Sequence, residues 1–226
     1  MKKMAKKPEF LSVWVLLSLF CMLAAGVLGL SVLSRFSLPD TVGRVLTDGE
    51  RAEVVARNSP LTEYVFLTPN ADFPRAGRVQ KITIHHMAGD LALEALGDSF
   101  ARRDRKASAN YAIDSQGRVG LYVEEANRAW TSSSKDNDDL AVTIEVANDE
   151  TGGTWHVSDA AYGRLVELCA DVCRRNGIQA LSYTGDETGT LTTHKMFYAG
   201  TECPGPYLEG RLEELAAEVN RRLAEP

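Results

Sequence analysis

Two histidines, one cysteine and one glutamate in this chain have the types and spacing for metal-assisted hydrolysis. His194 and Cys203 bracket the stretch HKMFYAGTEC, and Pro204-Gly205-Pro206 follows at once. Further up the chain, Ile82-Thr83-Ile84-His85 and Val142-Thr143-Ile144-Glu145 share one pattern. Two imidazoles and a thiolate fill three positions of a four-coordinate zinc ion and leave one open, as catalytic zinc sites do. A carboxylate beside such a site, not needed as a ligand, can take a proton from water. The plain alternative is a hydrogen-bonded core histidine and a cysteine acting as a small apolar filler. Spacing alone leaves both readings open.

The elements that must position these residues can be read from periodicity. RVQKITIHH is a β-branched run between Gly77 and Gly89, and LAVTIEVAN is a nearly continuous apolar run; both read as strands. Side chains alternate along a strand, so Thr83 and His85 share one face, as do Thr143 and Glu145. Ile82, Ile84, Val142 and Ile144 then face a core, and His86 points away from His85. ANYAIDSQGRVGLYV reads as a hairpin around Ser-Gln-Gly. ALEALGDSFARR has helical spacing. SDAAYGRLVELCADVCRRNG reads as a helix with Ser158 as N-cap and Gly177 as its stop. YLEGRLEELAAEVNRRLAE predicts a second amphipathic helix at the end. Cys169 and Cys173 fall four apart on the apolar stripe of the first of these helices and read as core thiols. His156 falls in the loop-like DETGGTWHVSD. Alternating strands and helices predict an α/β fold, a single mixed central β-sheet with helices on its faces.

The chain has 226 residues, 44% hydrophobic and 25% charged, with formal net charge −6. Residues 1–9 carry four lysines and one glutamate, and the 25 residues Phe10–Ser34 carry no charge. At about 1.5 Å per residue that run can span a bilayer core of about 30 Å. A cleaved signal peptide is the rival reading, but the apolar run continues past Ala24-Ala25-Gly26. We expect a basic cytoplasmic tail over 1–9, a transmembrane signal anchor over 10–34, a stalk over 35–60 and one catalytic domain over 61–226. The lysines precede the span, so the expected location is the bacterial cytoplasmic membrane, single-pass, with the domain on the extracytoplasmic side. Beyond residue 9 there remain 21 basic and 30 acidic residues, net −9, which argues against nucleic acid as a partner.

These motifs together resemble the zinc-dependent N-acetylmuramoyl-L-alanine amidases of type 2, relatives of phage lysozyme-amidases and peptidoglycan recognition proteins. The resemblance runs from about Glu63 to Leu223. ITIHHMAG is similar to the family's first metal strand and maps a ligand onto His85. NRAWTSSSKDNDDLAVTIEVAND resembles the strand with the catalytic glutamate and maps it onto Glu145. THKMF and TECPGPYL resemble the other two ligand motifs and map onto His194 and Cys203. Thr201 stands where many members have an oxyanion-stabilising lysine. The interval from His194 to Cys203 is one residue longer than usual, which reads as a loop bulge.

The resemblance implies a Zn2+ cofactor and hydrolysis of the amide between N-acetylmuramic acid and L-alanine in peptidoglycan. Glu145 would be the general base, with the Thr201 hydroxyl helping at the oxyanion. Asn110, Tyr111, Trp130 and Asn137 are the candidates to line a groove for glycan or peptide. Core packing is the alternative for Tyr111 and Trp130, and a plain turn for Asn137. Three other readings compete: a membrane-anchored muropeptide sensor of the same fold, a structural zinc domain and a zinc peptidase. The complete ligand set with glutamate argues against the sensor, and the open coordination position against a structural site.

Overall fold

The computed structural model describes residues 38–225. In chain order the elements are α1 (Asp48–Arg57), β1 (Thr62–Val65), β2 (Ala71–Asp72), β3 (Lys81–His86) and α2 (Leu93–Ala101). Then come β4 (Tyr111–Ile113), β5 (Val119–Leu121), β6 (Arg128–Ala129), α3 (Lys135–Leu140) and β7 (Ala141–Val146). The last are α4 (Asp159–Asn176), β8 (Leu191–Thr193), α5 (Pro206–Glu209) and α6 (Leu212–Ala224).

Six strands form one mixed sheet in the order β1-β5-β4-β7-β3-β8. β3 is flanked by β7 and β8, both parallel to it, and β4 and β5 form the expected antiparallel hairpin. The strand alternation sends Ile82, Ile84, Val142 and Ile144 into the main core, against Leu165, Leu168 and Val172 of α4 and Leu215 and Val219 of α6. The opposite face is divided. Over β4 and β5 it is apolar, where Ala112 and Tyr122 pack with Leu93, Leu96 and Phe100 of α2. Over β3, β7 and β8 it is polar: the Thr83 and Thr192 hydroxyls lie 2.9 Å apart, and those of Thr131 and Thr143 2.8 Å apart. The short helix α3 and the loop before it cover part of this polar half, with Asn137 donating to the Thr83 hydroxyl, and the candidate ligands rise from it.

α4 forms where its caps and stripe predict. The Ser158 hydroxyl accepts from the Ala161 N–H at 3.1 Å, and Gly177 ends the helix at φ 71°. Cys169 and Cys173 are buried on its stripe.

Three features differ from the sequence reading. A separate two-stranded ribbon joins β2 to β6, so the sheet is not alone. The stretch SKDNDDL, polar enough to suggest a turn, forms the short helix α3 with Ser134 as N-cap. Residues 35–60 read as a stalk, yet Val42, Leu46 and Val54 pack against the main core. That docking escaped the periodicity because polar groups carry much of it. The Asn58 amide donates to the Val54 carbonyl and to Glu124, and the Ser59 N–H donates to the Tyr111 hydroxyl. The expected anchor over 10–34 lies outside the described residues. Among the described residues no helix is long and apolar enough to cross a membrane.

The helix stop and the core beneath the helix carry different costs. Gly177→Ala keeps an open surround but forces a β-carbon into left-handed backbone, so urea unfolding should show a loss of about 1 kcal/mol. Leu168→Ala empties a fully buried site between sheet and helix and should lose about 2–5 kcal/mol.

Candidate metal centre and catalytic carboxylate

The register of β3 against β7 pairs Ile84 with Ile144 and His85 with Glu145. The imidazole and the carboxylate therefore project side by side from the polar face. β8 pairs Thr193 with Ile84 on the other side of β3, so the next residue, His194, comes level with His85. A single 3-10 turn over His194–Met196 then carries the chain away from the sheet. The His85 and His194 ring centroids are 4.8 Å apart.

Cys203 reaches the same point from a loop closed by backbone bonds. The Lys195 N–H donates to the Cys203 carbonyl at 3.1 Å, and the His86 N–H donates to the Cys203 sulfur at 3.4 Å. The sulfur stands 3.5 Å from His85 Nδ1. The Pro-Gly-Pro that follows has a packing reason. Gly205 sits at φ 83°, where a β-carbon would lie 3.0 Å from Trp155 Cβ and 3.3 Å from the His86 ring. Pro206 then opens α5. His86, pointing away from His85, packs edge-on against Trp155 and takes no part in the cluster. His156 lies apart in its loop, paired with Asp149 at 2.6 Å.

One donor atom from each of His85, His194 and Cys203 lies within 4.8 Å of the others. Among the described residues no fourth histidine, cysteine or carboxylate joins this group. His85 is 1% exposed, and its Nε2 and the Glu145 Oε2 are buried without a hydrogen-bond partner among the described residues. Buried polar atoms in native proteins are nearly always satisfied, and two of the seven exceptions among the described residues fall on this one pair of facing residues. Burial, with His194 and His86 nearby, holds the His85 imidazole well below its ordinary range, which suits a neutral metal ligand. Burial pushes the Cys203 thiol up, and a cation is what would stabilise its thiolate. Two imidazoles and one thiolate with a position to spare fit zinc.

Glu145 is pushed up to about 8 by burial, with the Arg105 charge opposing. The Thr201 hydroxyl accepts the Cys203 N–H at 3.1 Å and so braces the loop that carries Cys203.

The four residues expected along a groove part company. Asn110 and Tyr111 are 0% exposed. Asn110 accepts from the Thr143 N–H and donates to the Val123 carbonyl, and the Tyr111 hydroxyl donates to Glu125 on the other face. Both are framework, with no surface to offer a substrate. Asn137 is buried too, donating to the Thr83 and Ser132 hydroxyls. Only Trp130 lines a groove, a cavity of about 430 Å³ that also touches His194, and its indole N–H donates to Asp72 at 2.9 Å. Sequence reasoning missed Ser133, whose hydroxyl lies 3.3 Å from His194 Nε2. Ser133 holds φ 62°, and the loop around it is fixed by Asp138, which accepts from the Thr131 and Ser132 N–H groups. The signal was present in TSSSKDND, a run of short polar residues that bond their own backbone.

The elevated Glu145 carboxyl predicts a pH dependence of stability in chelator-treated protein. The folded chain keeps a proton there up to about 8, whereas the unfolded chain releases it from about 4.5. Stability therefore falls across that window and is restored below it. Glu145→Gln should match the parent melting temperature near the lower limit, gain on it through the window and hold the gain above.

The fold has solved relatives of low sequence identity. A structure of PlyL shares 16% identity at TM-score 0.51, covering 74% of this chain and 91% of its own. A selenomethionine AmpD derivative shares 18% at TM-score 0.52, covering 80% and 99%. Staphylococcus aureus hydrolase AmiA, in complex with its ligand, shares 16% at TM-score 0.56, covering 83% and 95%. At such identities the likeness shows the fold. No curated protein matches the sequence. A family model described as N-acetylmuramoyl-L-alanine amidase matches residues 75–206, more than half the chain and the whole span from before β3 through Cys203. The chain is thus a member of the N-acetylmuramoyl-L-alanine amidase family.

Proposed function

We propose that this amidase cleaves peptidoglycan between N-acetylmuramic acid and L-alanine with a zinc ion held by His85, His194 and Cys203. The observation that carries the reading is the convergence of those three donors beside the unpartnered Glu145 carboxylate. A zinc ion bound there supplies a Lewis acid for the attacking water and the scissile carbonyl. Glu145 takes the proton from that water and delivers it to the alanine nitrogen as the carbon–nitrogen bond breaks. Its buried site favours the protonated form, which suits the delivery step. The Ser133 hydroxyl holds the His194 ring, and Thr201 holds Cys203 in place through the backbone. The substrate reaches the cluster through the cavity lined by Trp130 and His194.

The lysine-rich start and the uncharged run over 10–34 support a single-pass anchor with the domain facing the wall. Because Val42, Leu46 and Val54 pack on the domain, little of 35–60 is left as free linker. That supports action on wall material close to the membrane.

The test is incubation of the zinc-loaded chain with purified peptidoglycan and mass analysis of the products. Free stem peptides beginning at L-alanine are expected. Glu145→Gln should lower turnover about 100-fold or more with zinc content unchanged. Cys203→Ala should lose the zinc itself, read by elemental analysis. Binding of muropeptides without release of stem peptides would overturn the catalytic reading and leave a sensor. Thr201→Val should weaken zinc retention about 10-fold, and Thr201→Ser should restore it, because the role of the side chain is one accepted hydrogen bond.

A further inference from the structure

We propose that the groove beside His194 is a carboxylate subsite on the peptide side of the substrate, read by Arg105 and Lys106. The inference rests on the amidase reading above for which molecule enters, and on the geometry of the groove for what it recognises. The cavity of about 430 Å³ is lined by Arg105, Lys106, Arg128, Trp130, Lys135 and His194, with Asp138 the one acid on its wall. Four cations thus converge beside the metal ligands of a chain whose net charge is −6. Two of them are committed. Arg128 bonds Asp72 at 2.5 Å and lies 3.6 Å from Asp139, and Lys135 bonds Asp139. Arg105 and Lys106 are exposed, and among the described residues neither side chain has a carboxylate partner. Arg105 ends the 3-10 turn Arg103–Arg105, and Lys106 follows it at φ 48°, a strained backbone of the kind found at ligand clamps.

The two sides of the substrate differ in charge. N-acetylated sugars are neutral and offer a cationic groove hydrogen-bond acceptors but no charge to pair with. A stem peptide carries carboxylates. Each residue spans about 3.3–3.6 Å, so a carboxylate on the second stem residue lies about 7 Å beyond the scissile bond. The groove begins at His194 and runs to Arg105 and Lys106, so the first free carboxylate of the stem is the one placed to enter it. The chemistry recognised is therefore a free α-carboxylate on the second residue, rather than its amide.

The test uses the full-length, zinc-loaded chain carrying Glu145→Gln, so that binding is read without cleavage by titration calorimetry. Three synthetic muramyl tripeptides serve as probes. The first has a free carboxylate at the second residue and an amidated C-terminus. The second is amidated at both, and the third is free only at the C-terminus. The first should bind about 10-fold tighter than the second, with the advantage shrinking between about 50 mM and about 500 mM salt. The third should bind no better than the second. Adding Arg105→Gln and Lys106→Gln should bring the first to within about twofold of the second, with melting temperature and zinc content unchanged. Equal binding of the first two, a preference that survives the double change, or a third peptide as tight as the first would each overturn the subsite. The two readings fail separately. Cleavage of both of the first two peptides by the unsubstituted chain, with no binding preference, sinks the subsite alone. A binding preference without any cleavage sinks the amidase reading alone.

Discussion

The site depends on one backbone register, the parallel pairing of β3 with β7 that sets His85 opposite Glu145. A strand has period two, so a slip of one residue would send every side chain to the other face. The register is held from below. Ile82, Ile84, Val142 and Ile144 are fully buried against α4 and α6, each worth about 1.5–3 kcal/mol over exposure. A slip would expose all four and push an imidazole and a carboxylate into the apolar layer. The core and the site are two faces of the same twelve residues, and the burial on one face fixes the geometry on the other.

The third ligand is held differently. Cys203 comes from 118 residues beyond His85, out of a loop with little regular structure. Its position is set by backbone bonds to Lys195, His86 and Thr201, and by a glycine that lets the chain press against the His86 ring. The constraint is carried by the carbonyl, N–H and sulfur of Cys203 itself. The threonine at 201 therefore stands in a place where a side chain that braces the loop has a use of its own.

Much of this was legible in the sequence because the repeated Thr-Ile pattern carries both the strand period and the chemistry. The four central residues, the hairpin, the long helix and the final helix follow from local periodicity and caps. What was not legible depends on packing between distant segments. Tyr111 and Asn110 look like polar candidates until the sheet order puts β4 in the interior, where Tyr111 reaches Glu125 and Asn110 bridges to β7. The docking of α1 rests on Asn58, Ser59 and Tyr111 across more than 50 residues, with no periodic apolar stripe to announce it. The basic run Arg102-Arg103-Asp104-Arg105-Lys106 reads as a solvated turn. Only the cavity shows that its last two members line the same groove as His194.

Burial acts on the cluster in one direction. It pushes the Cys203 thiol up, the His85 and His194 imidazoles down and the Glu145 carboxyl up, in every case toward the neutral form. Neutral groups are the least costly to keep under a sheet edge, so the fold can hold this cluster without burying net charge. For the imidazoles the neutral form is already the one that ligates. For the thiol and the carboxyl it is the form a divalent cation opposes. A cation held there would couple its binding to loss of a proton from Cys203 and would lower the Glu145 carboxyl. On the zinc reading proposed above, the burial that makes the groups inexpensive to house would also make deprotonation of Cys203 and Glu145 conditional on the bound cation.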